Sequence, residues 1–307
     1  LAHRGFRLSD YSHVIVHTLR KAGYLSVLAG AQHISHGKDP WKQSGYDMGI
    51  GSSPTAHEKA AEFLSNPPSQ PFFLDVGFKE THRDYPPAHP DDNPAFTLPP
   101  PTMPDTPETR LDMTQFKASA RILDSKIGAV LDALDKSGLA GNTLVICTTD
   151  HGIAFPTMKC NLTDGGIGVM LIMRGPGGFS GGKAIDGLVS HVDVFPTICD
   201  LLAISPPPWL EGISVIPLVR GEKKEIRDEI FAEVNYHASY EPMRCIRTRR
   251  WKYIKRYDGR NRIVAPNIDP GISKNAWIAA GFRDVPLAEE ELYDLTFDPA
   301  ETNNLAS

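Results

Sequence analysis

The order of the apolar runs is the feature that most constrains how this chain folds. Strand-like runs at 24–29, 71–78 and 144–147 are separated by segments whose apolar residues recur with helical spacing. Strands that alternate with helices favour a mostly parallel sheet with helices on both faces. We therefore predict an α/β fold for this part of the chain.

The clearest predicted helix spans 109–137, where apolar residues repeat at i, i+3, i+4 and i+7 along one face. Gly138 follows it, as expected at a helix end. Shorter helices are predicted over 13–22, 55–66 and 191–203. The proline-rich stretch 84–107 has no periodicity, so we expect a long surface loop there, of the kind that is often functional.

After Gly221 the pattern changes. Short β-type runs at 230–235, 243–248 and 251–257 follow one another without a helix between them, which favours an antiparallel sheet. The predicted fold class is thus α/β, a mostly parallel sheet sandwiched by helices, with a smaller C-terminal antiparallel sheet subdomain. The predicted units are a catalytic-type α/β domain over 1–221 and a smaller α+β subdomain over 222–307.

Polar residues follow the ends of three predicted strands. His33 follows the first, His82 the second, and Asp150 and His151 the third, with Lys159 a short loop further on. Any one histidine is more often an ordinary hydrogen-bonded residue. Because the carboxyl ends of parallel strands meet at one edge of a sheet, we expect these side chains to line one pocket. A carboxylate, imidazoles and an ammonium together predict a site for a metal and an anion.

Composition excludes some classes of function. The net charge of −5 gives no overall basic field to attract nucleic acid. No apolar run approaches the roughly 20 residues that cross a bilayer, so we predict no membrane span. The four cysteines include no C-x-x-C pair, which argues against a zinc site or a disulfide framework. The sequence carries no signature of oligomeric state.

Several motifs, in this order and spacing, resemble those of sulfatases of the alkaline phosphatase superfamily, and most closely the sulfamidase-like branch. The resemblance covers nearly the whole chain. The motifs are L-R-K-A-G-Y at 19–24, G-A-Q-H at 30–33, F-K-E-T-H at 78–82, T-L-V-I-C-T-T-D-H-G at 143–152, S-H-V-D-V-F-P-T at 190–197, M-R-C-I-R-T-R-R-W-K-Y-I at 243–254 and E-L-Y-D-L-T-F-D-P-A-E-T-N-N-L at 291–305.

This resemblance implies a metal-dependent hydrolase of sulfate esters or sulfamates, acting on a sulfated glycan or small molecule. It implies that Asp150 and His151 bind the metal and that Lys159 contacts the sulfate. It also implies that His33 assists the nucleophile and that His82 contacts the leaving oxygen. Calcium is the metal that the resemblance favours, although the donor types alone also suit magnesium, manganese or zinc. By the same resemblance the protein is secreted, periplasmic or lysosomal.

Two features depart from the family pattern. The family nucleophile, a formylglycine made from the first residue of a C/S-x-P/A-x-R motif, has no counterpart, because none of the four cysteines lies in that context. The expectation is a fragment whose formylglycine nucleophile and paired aspartates lie upstream of Leu1. In addition, Ala31 stands where most members have a lysine that contacts the sulfate. Gln32 and Lys79 are the candidates to replace it.

Two alternatives stay open at this stage. The Asp-His-Gly motif is also compatible with a phosphodiester or phosphonate monoester hydrolase of the same superfamily. A non-catalytic, glycan-binding pseudoenzyme is favoured by Ala31 and by the missing nucleophile. The presence of His33, His82, Asp150 and Lys159 argues against that second alternative.

Overall fold

The computed structural model describes residues 7–306 and contains the predicted parallel sheet. Strand β1 (Leu25–Gly30) is central, between β2 (Met48–Ile50) and β3 (Phe72–Gly77), and both neighbours run parallel to it. The intervening helices are α1 (Ile15–Lys21), α2 (Pro40–Gln43) and α3 (Ala56–Ser65). The predicted strands at 24–29 and 71–78 and the helices at 13–22 and 55–66 are confirmed. The sequence did not reveal β2 and α2, because each is too short to show a period.

The long helix α4 (Pro107–Lys136) confirms the prediction over 109–137. It begins with a capping box, in which the Thr106 hydroxyl accepts a hydrogen bond from the Thr109 backbone N–H. The stretch before it contains only a short 3-10 helix, Pro94–Phe96, as expected for a surface loop. Among residues 7–306, no helix combines the length and the apolar character needed to cross a membrane.

Strand β4 (Val145–Thr148) exists as predicted, but its partner is different from the one expected. Helix α5 (Asp164–Ile167) follows a loop, and β5 (Leu171–Arg174) then returns antiparallel to β4, from Val145 opposite Arg174 to Thr148 opposite Leu171. Within the described part of the chain, β4 and β5 form a separate two-stranded sheet. The expectation that β4 belongs to the parallel sheet was therefore wrong, because an apolar period identifies a strand and not its partner.

The C-terminal part forms the predicted antiparallel sheet. After α6 (Val194–Leu201) and α7 (Ile216–Val219), four strands pair in the order β6-β7-β8-β9. Their bounds are β6 (Glu229–Tyr236), β7 (Tyr240–Thr248), β8 (Trp251–Arg256) and β9 (Glu290–Asp294). Helix α8 (Ile272–Ala279), between β8 and β9, was not predicted.

A buried charge network fastens the loop after β4 to this sheet. Lys252 on β8 is fully buried, and its ammonium lies 2.5 Å from Asp164 Oδ1 and 2.8 Å from Glu301 Oε1. Arg247 on β7 places Nη2 at 2.9 Å from Asp164 Oδ2. Two cations thus face two carboxylates. The network joins α5, the C-terminal sheet and the last segment of the chain.

Apolar packing strengthens the same junction. Leu162, just before α5, is buried in a cluster with Met243, Cys245, Ile254 and Tyr293 of the sheet. Burying one leucine side chain stabilises a fold by about 1.5–3 kcal/mol. The loop that begins at Asp150 is therefore held at its far end by both polar and apolar contacts.

The first prediction concerns Lys252. Lys252→Met leaves Glu301 buried without a cation, so we expect the free energy of unfolding to fall by about 3–5 kcal/mol. Urea-induced unfolding measures this change. The matched control is Lys255→Met on the same strand, whose ion pair with Glu290 is exposed and should contribute far less. Equal effects of the two substitutions would contradict a structural role of the network.

Candidate active site

Asp150 and His151, the residues predicted to bind a metal, lie just after β4. His151 Nδ1 is 2.7 Å from the Gly152 carbonyl oxygen. A carbonyl only accepts hydrogen bonds, so Nδ1 carries a proton and Nε2 is the ring nitrogen that this bond leaves available. Nε2 lies 3.5 Å from Asp150 Oδ2, and the Asp150 side chain is 83% exposed. A ring nitrogen and a carboxylate oxygen thus lie close together at an open position.

This arrangement fits part of a metal-coordination shell. A metal-binding histidine usually donates its other ring N–H to a carbonyl or carboxylate, as His151 does here. Among the residues that the structure describes, no three histidines, cysteines or acids are grouped so that they alone could hold a metal ion. Asp150 and His151 therefore fit as two donors on one side of a site.

His191, which was not among the predicted site residues, contacts the last residue of β4. Thr148 Oγ1 donates to the Met170 carbonyl at 2.7 Å, so it accepts the hydrogen bond from His191 Nε2 at 2.8 Å. Burial lowers the pKa of His191, while the nearby Asp150 charge partly opposes that shift. The motif at 190–197 contained His191, but the sequence alone suggested no role for it.

A cavity of about 1430 Å³ opens beside Asp150 and His151. Its lining includes Asp150, His151 and His191, together with His237 from the loop after β6. The other predicted site residues, His33, His82 and Lys159, do not line this cavity. The expectation that all five predicted residues line one pocket is therefore wrong for this cavity. Lys159 and His82 instead lie around Asp269, with which the cavity-lining His237 also interacts electrostatically.

The second cluster surrounds Asp269. Lys159 Nζ lies 2.7 Å from Asp269 Oδ2, and the two side chains are only 8% and 13% exposed. Burial raises the pKa of Asp269, but the hydrogen bond and charge of Lys159 outweigh it, with contributions from His237 and His82. The pKa of this carboxyl is consequently below its usual range. Asp269 lies in the aperiodic stretch N-I-D-P-G, which gave no signal of function in the sequence.

Arg83, next to His82, connects four segments around this cluster. It is buried, and its Nη1 and Nη2 donate to the two Asp112 carboxylate oxygens on α4 at 2.8 and 2.7 Å. Nε donates to the Ala154 carbonyl, in the loop after β4, at 2.9 Å. Gly271 allows close approach, because a Cβ there would lie 2.3 Å from Arg83 Nη1. Arg83 thus fixes the loop of His82 against that of Lys159.

His82 is exposed, with Nδ1 2.5 Å from the Arg83 carbonyl oxygen. Nδ1 therefore carries a proton, and Nε2 remains for contact with a substrate. His33 is exposed on the loop after β1. Since Gly30 and Gly77 pair in register at the ends of the parallel strands β1 and β3, the loops of His33 and His82 leave the same sheet edge.

Gln32 has a structural role that the sequence did not show. Its Oε1 accepts hydrogen bonds from the backbone N–H groups of Ile34 and Ser35, at 2.8 and 2.9 Å. Its Nε2 donates to the Ser35 carbonyl at 2.8 Å. Because these bonds within the turn occupy the Gln32 amide, the exposed Lys79 is the better candidate to replace the lysine expected at Ala31.

Two family models match the chain. The model described as "Sulfatase" matches residues 6–204. The model described as "N-sulphoglucosamine sulphohydrolase, C-terminal" matches residues 159–287. Together these matches include every predicted site residue as well as Asp269.

Individual proteins are similar as well. An ulvan-active sulfatase from Formosa agariphila is 28% identical over 330 residues, covering 99% of this chain and 62% of that protein. Human N-sulphoglucosamine sulphohydrolase is 27% identical over 298 residues, covering 80% of this chain and 58% of that protein. The solved structure of a 2-O GAG sulfatase superposes with a TM-score of 0.68 at 23% identity, covering 98% of this chain and 71% of that chain. This chain thus spans less than two thirds of the length of both curated relatives.

The second prediction concerns Arg83. Arg83→Lys keeps the charge but loses the bidentate contact with Asp112 and the bond to Ala154, so we expect unfolding free energy to fall by about 2–3 kcal/mol. Amide hydrogen exchange over 154–160 should also become faster. The control is Arg121→Lys, whose bidentate pair with Asp92 also involves α4 but is exposed on the arginine side. Unchanged exchange over 154–160 would show that Arg83 does not hold this loop.

Proposed function

The chain belongs to the sulfatase family, and from that premise we propose that the protein hydrolyses sulfate esters or sulfamates of carbohydrates. The observation that carries the proposal is the Asp150–His151 pair, in which His151 Nε2 and the exposed Asp150 carboxylate lie 3.5 Å apart while Nδ1 donates to a carbonyl. A metal ion and a formylglycine nucleophile are general features of this family. We further propose calcium as the metal, and the units 1–221 and 222–307 as the two domains.

Hydrolysis of a sulfate ester uses water to split a sulfur–oxygen bond. Because the sulfate group is an anion, this reaction requires a positively charged site. The bond from sulfur to the leaving oxygen breaks, that oxygen gains a proton, and sulfate is released. When bound by Asp150 and His151, the metal would supply positive charge and lower the pKa of a bound hydroxyl. Positive groups fixed in place before reaction stabilise the transition state without reorganising.

Lys159 would contact the peripheral sulfate oxygens. Its ammonium has three donors, and the contact with Asp269 at 2.7 Å uses one of them. The ammonium is also largely buried, so its attraction for an anion is screened less than at an exposed position. Asp269 thereby orients the ammonium and leaves donors for the substrate.

His82 and His33 would transfer protons. With Nδ1–H held by the Arg83 carbonyl, the protonated His82 ring would donate from Nε2 to the leaving oxygen as the sulfur–oxygen bond breaks. His33 would accept a proton from the attacking hydroxyl. Histidine suits both roles because its ordinary pKa lies near neutral pH.

The third prediction tests the activity through Lys159. The purified protein should hydrolyse 4-nitrophenyl sulfate faster than bis(4-nitrophenyl) phosphate. Lys159→Met should lower kcat/KM for the sulfate about 10²- to 10³-fold, the effect of removing one fixed donor. Lys159→Arg, which keeps a cation beside Asp269, should lose less, and exposed Lys223→Met is the control.

Each contrary result identifies an alternative. Faster phosphate-diester hydrolysis would indicate the phosphodiester or phosphonate hydrolase. Glycan binding without turnover of any ester would indicate the non-catalytic binding protein. Equal activity of Lys159→Met and the unmodified protein, with both folded, would contradict the role of Lys159.

The fourth prediction concerns the metal. Asp150→Asn replaces the only carboxylate of the donor pair, so we expect calcium affinity, measured by isothermal titration calorimetry, to fall more than about 10-fold. Asp135→Asn, which changes an exposed carboxylate paired with Arg174, should leave the affinity unchanged. Treatment with a chelator should abolish hydrolysis, and added calcium should restore it. Unchanged calcium binding in Asp150→Asn would place the metal elsewhere.

A further inference from the structure

Asp269 is a carboxylate inside a site that should bind an anion. Its Oδ2 contacts Lys159, yet a carboxylate offers about four lone-pair positions, so one ammonium contact leaves acceptor capacity. Because its pKa is held below the usual range, Asp269 is ionised at neutral pH. An ionised carboxylate only accepts hydrogen bonds and repels the sulfate group of a substrate.

The backbone next to Asp269 is rigidly held. The buried Asn267 accepts hydrogen bonds from the backbone N–H groups of Ala238 and Ser239, at 2.9 and 2.8 Å. Its Nδ2 donates to Glu241 Oε2 at 2.8 Å. These bonds fasten the segment before Asp269 to the hairpin between β6 and β7, so the carboxylate is fixed before any substrate arrives.

The charges around Asp269 decide which kind of hydrogen-bond donor can approach its carboxylate. Lys159, Arg83 and Lys274 all interact electrostatically with this carboxylate. Asp112 neutralises Arg83 through its bidentate contact, which leaves two lysines facing one Asp269. The surroundings are therefore net positive. An additional cation would be repelled, whereas a neutral hydroxyl is not.

We propose that Asp269 is a specificity-determining residue, which accepts a hydrogen bond from a neutral hydroxyl on the alcohol part of the sulfate ester. It thereby selects sulfated sugars over sulfate esters of cationic alcohols and over esters without a hydroxyl. The proposal deepens the proposed function and rests on it, since it places the alcohol part beside Asp269 while Lys159 holds the sulfate. A built acceptor discriminates strongly, because a ligand without the donor leaves it unpaired.

The experiment compares three substrates in the unmodified protein and in Asp269→Ala. N-acetylglucosamine 6-sulfate has neutral hydroxyls, 4-nitrophenyl sulfate has none, and choline sulfate has a quaternary ammonium. We expect Asp269→Ala to lower kcat/KM for the sugar sulfate about 10- to 100-fold, as for a hydrogen bond to a charged group. The value for 4-nitrophenyl sulfate should fall by a smaller factor, which reports only the lost orientation of Lys159. Choline sulfate should be the poorest substrate of the unmodified protein.

Two further variants exclude a purely structural effect. Asp269→Asn keeps an oxygen acceptor without the charge, so it should lose less of the sugar preference than Asp269→Ala. Asp284→Ala removes an exposed carboxylate from the same part of the chain and should change nothing. Equal losses on the sugar and aryl sulfates would overturn the proposal, because Asp269 would then only support Lys159. Rapid hydrolysis of choline sulfate by the unmodified protein would also overturn it.

A binding measurement separates this proposal from the proposed function. If the unmodified protein hydrolyses none of the esters, the proposed function has failed, and calorimetry then tests the inference alone. The unmodified protein should bind N-acetylglucosamine 6-sulfate more tightly than inorganic sulfate, and Asp269→Ala should lose that difference. If the difference persists in Asp269→Ala, or if the unmodified protein shows none, Asp269 does not recognise the alcohol part.

Discussion

The arrangement of the site depends on the ion pairs that the buried ammonium of Lys252 forms. This ammonium contacts Asp164 and Glu301, which lie in separate segments of the chain. Removing a charge from water costs several kcal/mol, and only well-placed opposite charges offset that cost. Because Asp164 begins α5 and Lys252 lies on β8, their ion pair helps to fix where α5 lies on the C-terminal sheet. The loop that carries Lys159 ends at α5, so its course is set from this point.

Arg83 holds the same loop nearer its start. Its guanidinium contacts Asp112 on α4 and the carbonyl of Ala154, which lies between His151 and Lys159 in the chain. The loop is thus fastened to the α/β part by one buried cation and to the C-terminal sheet by another. That sheet and its connections contribute His237 and Asp269. The proposed chemistry therefore needs both parts of the chain, with Asp150 and His151 on one and Asp269, the partner of Lys159, on the other.

The sequence predicted which segments form strands more reliably than it predicted which strands pair with one another. The run at 144–147 is a strand, but it pairs antiparallel with β5 instead of joining the parallel sheet. The site shows the same limit. Asp150, His151, Lys159 and the two histidines were identified because they follow strands or match motifs, whereas Asp269 and Arg83 follow no such pattern. Lys159 contacts Asp269, and His82 contacts the Arg83 carbonyl. The proposed roles of Lys159 and His82 rest on these contacts.

The sequence by itself determined the longer helices and strands, the family and the types of donor at the strand ends, since periodicity and motifs are read over neighbouring residues. Only the tertiary structure decided that Lys159 meets Asp269, a carboxylate 110 positions further along the chain. It also decided that His151 donates from Nδ1 to the Gly152 carbonyl, with Nε2 beside the Asp150 carboxylate. The physical reason is that ion pairing and burial depend on distance in space. The folded backbone sets that distance, and the spacing of residues along the chain does not record it.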